Sequence, residues 1–224
     1  MEFVITEDGS KTLFHTEIGE HYHSKHGALQ ESRHVFLASG LHYFLEREQQ
    51  DTVAILEVGF GTGLNFLLTA DDMTKNSVTL EYCGIEAFPL DKEIIFSTGY
   101  EQFVSPSVWS AFEMSYEEAL KSEISFMPRV HLKIAPCKVL DFKAKKRFDI
   151  IYFDAFATIH QPEMWNDKTL SYVADFLKPG GVFVTYAITG NLKRSMKALG
   201  FAIEKVPGAP GKREMLRAVK IKQG

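Results

Sequence analysis

The sequence predicts an α/β fold: a doubly wound, mostly parallel sheet covered by helices on both faces and closed by a C-terminal antiparallel hairpin. Three observations lead there. From about residue 50 onward, short apolar runs alternate with helix-length amphipathic stretches. The apolar runs are nearly continuous, as in strands buried on both faces. The last two strand-like segments have no helix between them, so they must pair antiparallel. The 224 residues leave room for one such domain with a modest appendage. A hydrophobic share of 45% and a charged share of 24% exclude a disordered tail or a fibrous repeat. No apolar run approaches the ~18 residues of a membrane span.

In chain order, Phe3-Val4-Ile5 and Thr12-Leu13-Phe14 flank Asp8-Gly9, a dipeptide suited to a tight hairpin. Apolar Ala28, Val35, Phe36, Leu41 and Phe44 among charges predict a helix over 24–48, with Gly27 and Gly40 as weak points. Val53–Val58 is the first buried strand, and a helix opens at Gly63. Thr79–Glu86 is the second strand, with helical stretches from there to about Lys121. Val130–Ile134 and Phe148–Phe153 are the third and fourth strands. A helix over 167–177 leads to a fifth strand at Gly181–Tyr186. A helix over 192–199 then precedes strands at 201–206 and 214–221. The expected organisation is a 1–50 extension, hairpin and helix, packed on a 51–224 domain as a single structural unit.

Met1-Glu2-Phe3-Val4 lacks the basic and apolar regions of a secretion signal. The two cysteines, Cys83 and Cys137, sit in strand-like contexts without metal-ligand spacing. A reduced, cytoplasmic protein with no membrane association is the expectation. The net charge of −4 hides an asymmetry. From Lys193 to the end, nine basic residues face two acids, giving +7 and leaving the preceding residues at −11. Such a basic end suits phosphate contact, and equally a solvated helix and hairpin.

The strongest chemical signal is Ile55-Leu56-Glu57-Val58-Gly59-Phe60-Gly61-Thr62-Gly63-Leu64-Asn65. An apolar strand runs into three alternating glycines, and a helix then starts with its N-terminus aimed at whatever lies on the turn. The G-x-G-x-G spacing with a preceding acid differs from the dinucleotide fingerprint G-x-G-x-x-G. It is typical of methyltransferases that use S-adenosylmethionine; a tight turn without ligand is the bland alternative. Glu86 ends strand two, where a carboxylate can accept from both ribose hydroxyls. Asp154 ends strand four, beside Phe156, where ligands of doubly wound sheets bind. A carboxylate there can orient an amine or take its proton, and an aromatic ring can stack on a planar base. A helix cap or turn is the other reading of Asp154.

Over nearly its whole length the chain resembles one methyltransferase family. This is the family of the methyltransferase domain of the bifunctional bacterial tRNA-modification enzyme MnmC and its stand-alone MnmD-type relatives. The resemblance is carried by Tyr22-His23-Ser24, Glu31-Ser32, the glycine motif, Glu86-Ala87-Phe88-Pro89-Leu90, Phe153-Asp154-Ala155-Phe156-Ala157, Pro162-Glu163-Met164-Trp165, Lys178-Pro179-Gly180-Gly181 and Lys212-Arg213-Glu214-Met215. It implies a class I, Rossmann-like S-adenosylmethionine-dependent fold. The implied reaction is methylation of the aminomethyl group of 5-aminomethyl(-2-thio)uridine at the tRNA wobble position. Carried over by motif, Glu57, Gly59, Gly61, Gly63 and Asn65 are candidates to bind the cofactor, with Glu86 on the ribose and Asp154 facing the amine. Phe156, Tyr22, Trp165, Lys212 and Arg213 are the substrate-side candidates, with Trp165 equally suited to anchoring a loop. The basic end would meet the anticodon region of tRNA, and a separate enzyme would supply the aminomethyl-uridine.

Two stretches depart from the family pattern. Ile134-Ala135-Pro136-Cys137-Lys138 lacks the acid that commonly binds the adenine amine, which leaves backbone groups or another side chain for that task. Thr158-Ile159-His160 follows Ala157 where proline is common. The chain ends without the flavin-dependent oxidase half, so FAD is not expected. No metal is expected either, since no Cys or acid cluster completes a site with His21, His23 and His26. The Lys143, Lys145, Lys146, Arg147 run precedes strand four, at the wrong end of the sheet, and reads as a solvated loop. A small-molecule amine methyltransferase and a non-catalytic adenosyl- or RNA-binding module are the competing functions.

Overall fold

The structure, a computed structural model, describes residues 1–222. Gln223 and Gly224, the end of the expected 51–224 unit, lie outside the described residues. Strands β1 (Glu2–Ile5), β2 (Lys11–His15) and β3 (Glu20–His21) form a small antiparallel sheet. The first two are the expected hairpin; β3 is too short and polar to show an apolar pattern. A helical segment follows: α1 (Ala28–Ser32), a π-helical stretch Arg33–His42, and α2 (Tyr43–Arg47). It begins later than the sequence suggests because Gly27 sits at φ 143°, where a Cβ would run into the Asp8 carboxylate. Gly40 lets the segment press on the sheet, where a Cβ would lie 3.0 Å from the Tyr152 ring.

The main sheet holds β4 (Thr52–Val58), β5 (Thr79–Glu86), β6 (Ile124–Met127), β7 (Val130–Pro136), β8 (Phe148–Phe153), β9 (Leu177–Thr185), β10 (Phe201–Pro207) and β11 (Glu214–Lys220). Their order is β10-β11-β9-β8-β4-β5-β7-β6. The pairs β4–β5, β4–β8, β5–β7 and β8–β9 are parallel. The pair β10–β11 is antiparallel, as predicted, and β11 also runs antiparallel to β9. Edge strand β6 was not anticipated; its Ile-Ser-Phe-Met run is only four residues long. β9 starts four residues earlier than expected. It absorbs Lys178–Gly181 through a register shift against β8, with Gly180 at φ 82°.

Side chains alternate along the central strands and build two cores. Val53, Ile55, Ile150, Tyr152 and Val184 face the 28–47 segment, α3 (Leu64–Met73) and, beyond α4 (Lys92–Phe96), α5 (Pro106–Ala119). Ala54, Leu56, Val58, Ile151, Phe153 and Phe183 face α6 (Asp167–Ala174) and α7 (Gly190–Ala198). Phe36 packs on Tyr152 with ring centres 5.1 Å apart, tying the N-terminal segment to the sheet. The chain reverses direction of travel between β4 and β8, so the crevice of a doubly wound sheet opens at their carboxyl ends. Among the described residues, no helix is long and apolar enough to cross a membrane.

Candidate active site

A cavity of about 520 Å³ opens at that switch point. Its floor is Val58, Gly59, Phe60 and Gly61 from the end of β4, and its flanks come from the ends of β5 and β8. The turn is stitched to β5 by two donors, Gly59 N and Phe60 N, each 3.0 Å from the Ile85 carbonyl. Gly59, at φ 91°, runs so close to the Asp154 carbonyl that a Cβ would collide with backbone. Gly63 differs. At φ 79° it starts α3, and a Cβ there would meet the Phe112 and Phe60 rings, so it serves core packing rather than the cavity.

Glu86 is held ready. Its Oε2 accepts from Gly61 N at 2.9 Å and its Oε1 from Phe88 N at 3.0 Å. Both oxygens keep a lone pair for a pair of vicinal hydroxyls. Tyr22 roofs the turn; a Cβ on Gly61 would lie 3.0 Å from its ring. Burial, with Glu86 nearby, holds the Tyr22 hydroxyl well above its ordinary range, so it stays protonated. Asp141, from the turn after β7, lines the same cavity and supplies an acid where the expected position lacks one. It lies four residues beyond Cys137, past the end of the 134–138 stretch. Together, a glycine cradle, a diol-ready carboxylate and an enclosing aromatic fit an adenosyl ligand.

On the other side of the turn stands Asp154, half-buried, its amide bonded to the Val58 carbonyl at 2.9 Å. Burial first, and then the Glu31 and Glu20 carboxylates, push its carboxyl up to about 8, with Asn65 and Lys212 acting in the opposite sense. Phe156 lines the cavity two residues on, edge-on to Tyr22 at 5.1 Å. The 156–165 loop is fixed by three bonds. Trp165 Nε1 donates to the Phe156 carbonyl at 2.7 Å, Phe156 N donates to Gln161 Oε1 at 3.2 Å, and Ala157 N donates to Glu20 Oε2 at 2.8 Å. Trp165 is 8% exposed and packs on Phe153 and Tyr186. It therefore takes the anchoring role and is not a free platform for a base. Thr158, Ile159 and His160 form the exposed tip of the loop.

Several expected ligands lie behind the cavity. Glu57 is fully buried and accepts from Asn65 Nδ2 and Tyr82 OH, each at 2.8 Å. Burial holds its carboxyl well above the usual range. Asn65, 1% exposed, also donates to Asp154 Oδ2 at 2.8 Å. Lys212 turns inward instead of toward a phosphate. Its ammonium bonds Glu31 Oε2 at 2.6 Å and lies 3.7 Å from the centre of the Tyr186 ring, whose hydroxyl donates to the Ala155 carbonyl. Without that ammonium the Glu31 carboxylate, whose side chain is 6% exposed, would be a buried charge with no opposite charge beside it. Arg213 stays exposed, as do Lys197 and Lys205, without ion-pair partners among the described residues. His23, part of the Tyr22-His23-Ser24 segment that carries the resemblance, lines the cavity with Nε2 3.1 Å from Thr62 Oγ1. Burial drops its imidazole to about 4, so it is neutral. Among the described residues no group of three or more His, Cys, Asp or Glu could hold a metal. Lys146 pairs with Glu81 and Lys143 bonds Tyr172, so the 143–147 run forms a solvated loop.

Known proteins place this arrangement. A solved structure of MnmC2 from Aquifex aeolicus superposes with a TM-score of 0.77 at 25% identity, covering 100% of this chain and 71% of that one. The sugar N-methyltransferase KedS8 from Streptoalloteichus shares the fold at 13% identity and a TM-score of 0.51, covering 86% of this chain and 87% of its own. Curated relatives include the tRNA 5-methylaminomethyl-2-thiouridine biosynthesis bifunctional proteins MnmC of Leptospira borgpetersenii and Campylobacter hominis. They are 31% identical over 87% and 92% of this chain, respectively. The chain spans 31% of the length of each. A family model described as S-adenosyl-L-methionine-dependent methyltransferase matches residues 104–221, more than half of the sequence. With the glycine turn, Glu86 and Asp154 gathered on one cavity at the switch point of the sheet, the chain belongs to the S-adenosyl-L-methionine-dependent methyltransferases.

Proposed function

We propose that the chain methylates the aminomethyl nitrogen of 5-aminomethyl(-2-thio)uridine at the wobble position of tRNA, giving the 5-methylaminomethyl form. The observation that carries this reading is the placement of Asp154 and Phe156 in the same cavity as Glu86. An amine-directed carboxylate and an aromatic wall face the end of the glycine turn. The names of the MnmC relatives support the same substrate.

When bound, S-adenosylmethionine supplies an electrophilic methyl group on a sulfonium. Glu86 binds the ribose hydroxyls, Gly59 and Gly61 let the ligand lie on main-chain atoms, and Tyr22 covers it. Phe156 forms one wall for the uracil ring. An alkylammonium has no lone pair, so the substrate must lose a proton before it attacks. Asp154, with its carboxyl near 8, is a far stronger base than an ordinary carboxylate. Once ionised, it accepts that proton and passes it to water, and the carboxylate so restored stabilises the positive charge that shifts toward nitrogen as the methyl group is transferred.

Arg213, Lys197 and Lys205 meet phosphates of the anticodon region. Residues 1–50 act as an extension that forms one structural unit with the 51–224 domain and carries Tyr22 over the cofactor. In this reading the reaction is cytoplasmic, and a separate enzyme supplies the aminomethyl group. The test is a mass-spectrometric profile of wobble nucleosides with and without the gene. Deletion should accumulate the aminomethyl form at the expense of the methylaminomethyl form. An unchanged profile, with methyl transfer to free polyamines by the purified chain, would instead favour a small-molecule amine methyltransferase.

A further inference from the structure

Asn65 holds a position that neither cofactor contact nor core packing explains. It is the second residue of α3, 1% exposed, and does not line the cavity. Both hydrogens of its amide nitrogen are spent on carboxylates: Glu57 Oε1 at 2.8 Å and Asp154 Oδ2 at 2.8 Å. Its Oδ1 is buried with no partner. An amide kept in that orientation is held by the two acids, since any other use of its hydrogens would leave a buried carboxylate oxygen unsatisfied. Glu57 is fixed in turn by Tyr82 OH at 2.8 Å. The result is a chain, Tyr82–Glu57–Asn65–Asp154, running from the sheet interior to the cavity.

We infer that Asn65 is a positioning residue: it clamps Asp154 by Oδ2, so that Oδ1 alone faces the amine and takes its proton. This deepens the reading of Asp154 as the base and rests on it. The clamp does two things. It removes rotation of the carboxylate about its Cβ–Cγ bond, which fixes the angle at which the nitrogen lone pair is presented. It also stabilises the ionised form of Asp154 against desolvation. The other charged and titratable groups around Asp154 come from several elements. They are Glu31 from α1, Glu20 from β3, Lys212 from the turn between β10 and β11, Tyr186 after β9, and Glu57 and Tyr82 behind Asn65.

The test reads Asp154 directly. Carboxyl carbons are labelled in the aspartates of the full chain, and the Asp154 signal is assigned by its loss in Asp154→Asn. In Asn65→Ala and Asn65→Ser the Asp154 midpoint should rise by about one pH unit, the scale of one lost charge-assisted bond. S-adenosylmethionine affinity should stay within about twofold. Single-turnover methylation should fall by about tenfold below the new midpoint and recover partly above it. A second measurement needs no variant at Asn65. In the unmutated chain the Asn65 side-chain amide signals should titrate with the Asp154 midpoint, and should stop doing so in Asp154→Asn. An unmoved Asp154 midpoint, combined with a tenfold or greater loss of cofactor affinity, would make Asn65 a cofactor residue and overturn the clamp. So would amide signals that ignore pH. If the unmutated chain methylates no aminomethyl-uridine tRNA, the proposed substrate fails, and the carboxyl titration still decides the role of Asn65.

Discussion

The ammonium of Lys212 meets the carboxylate of Glu31 at 2.6 Å, across 181 residues of sequence. Glu31 also accepts from Ser24 N at 3.1 Å, so this pair fastens the turn of the C-terminal hairpin to the start of the helical segment, beside Asp154. The Glu31 side chain is 6% exposed and that of Lys212 32%. Lys212→Met should therefore destabilise the protein by on the order of 3 kcal/mol, because it strands a buried carboxylate. Glu31→Met combined with Lys212→Met should recover much of the loss. Thermal unfolding of the three variants checks this; an unchanged melting temperature in Lys212→Met would contradict it.

Arg213 should behave oppositely. It is exposed and makes no ion pair among the described residues. Arg213→Ala should leave stability and cofactor affinity alone, raise the KM for tRNA, and reduce the slope of log affinity against log salt by about one. Filter binding at a series of salt concentrations measures it. A slope equal to that of the unmutated chain would remove Arg213 from the phosphate interface.

Glu86→Ala should weaken S-adenosylmethionine binding by roughly 1.5–3 kcal/mol, the scale of hydrogen bonds to a charged group. The same substitution strips Gly61 N of its partner and loosens the turn. Glu86→Gln should recover part of the affinity, since its carbonyl can still accept from Gly61. Calorimetry that found Glu86→Ala indistinguishable from the unmutated chain would place the ribose elsewhere.

His23 sets an acid limit on the fold. Its imidazole is dropped from 6.5 to about 4 by burial, so between those values the unfolded chain binds a proton that the folded one refuses. Stability from this group is full above about 6.5 and is lost as pH falls toward 4. His23→Gln, whose amide can still reach Thr62, should flatten the loss of melting temperature over that window. An identical pH dependence in the variant would show that His23 is not the group responsible.

The sheet was legible because its strands are apolar on both faces, and local composition alone reports that. Strand β5 was located to the residue from Thr79–Glu86. Short or polar strands such as β3 and β6 carry no such pattern and were missed. The glycine turn, Glu86 and Asp154 announced themselves because each sits at a strand end, where local sequence determines position. What sequence could not give was the direction in which a side chain turns. Glu57 and Asn65 read as cofactor ligands from the motif, yet they point into the interior. Lys212 read as a surface charge, and its partner lies at the far end of the chain. Asp141 carries no signal in the sequence because a short turn, Val139–Asp141, sets it several residues past the end of β7.

The central claim is methyl transfer to the wobble aminomethyl group with Asp154 as base, and one measurement addresses it most directly. The purified chain and its Asp154→Asn variant are each given S-adenosylmethionine and tRNA carrying 5-aminomethyl-2-thiouridine. Nucleosides are then analysed by mass spectrometry under single-turnover conditions across pH 6–9. The unmutated chain should convert the nucleoside to its 5-methylaminomethyl form, with a rate that rises as pH passes through the region of about 8 where Asp154 ionises. The Asn variant should be slower by on the order of 10²–10⁴ and should lack that rise. No conversion by the unmutated chain, or an Asn variant within about threefold of it at every pH, would contradict the account.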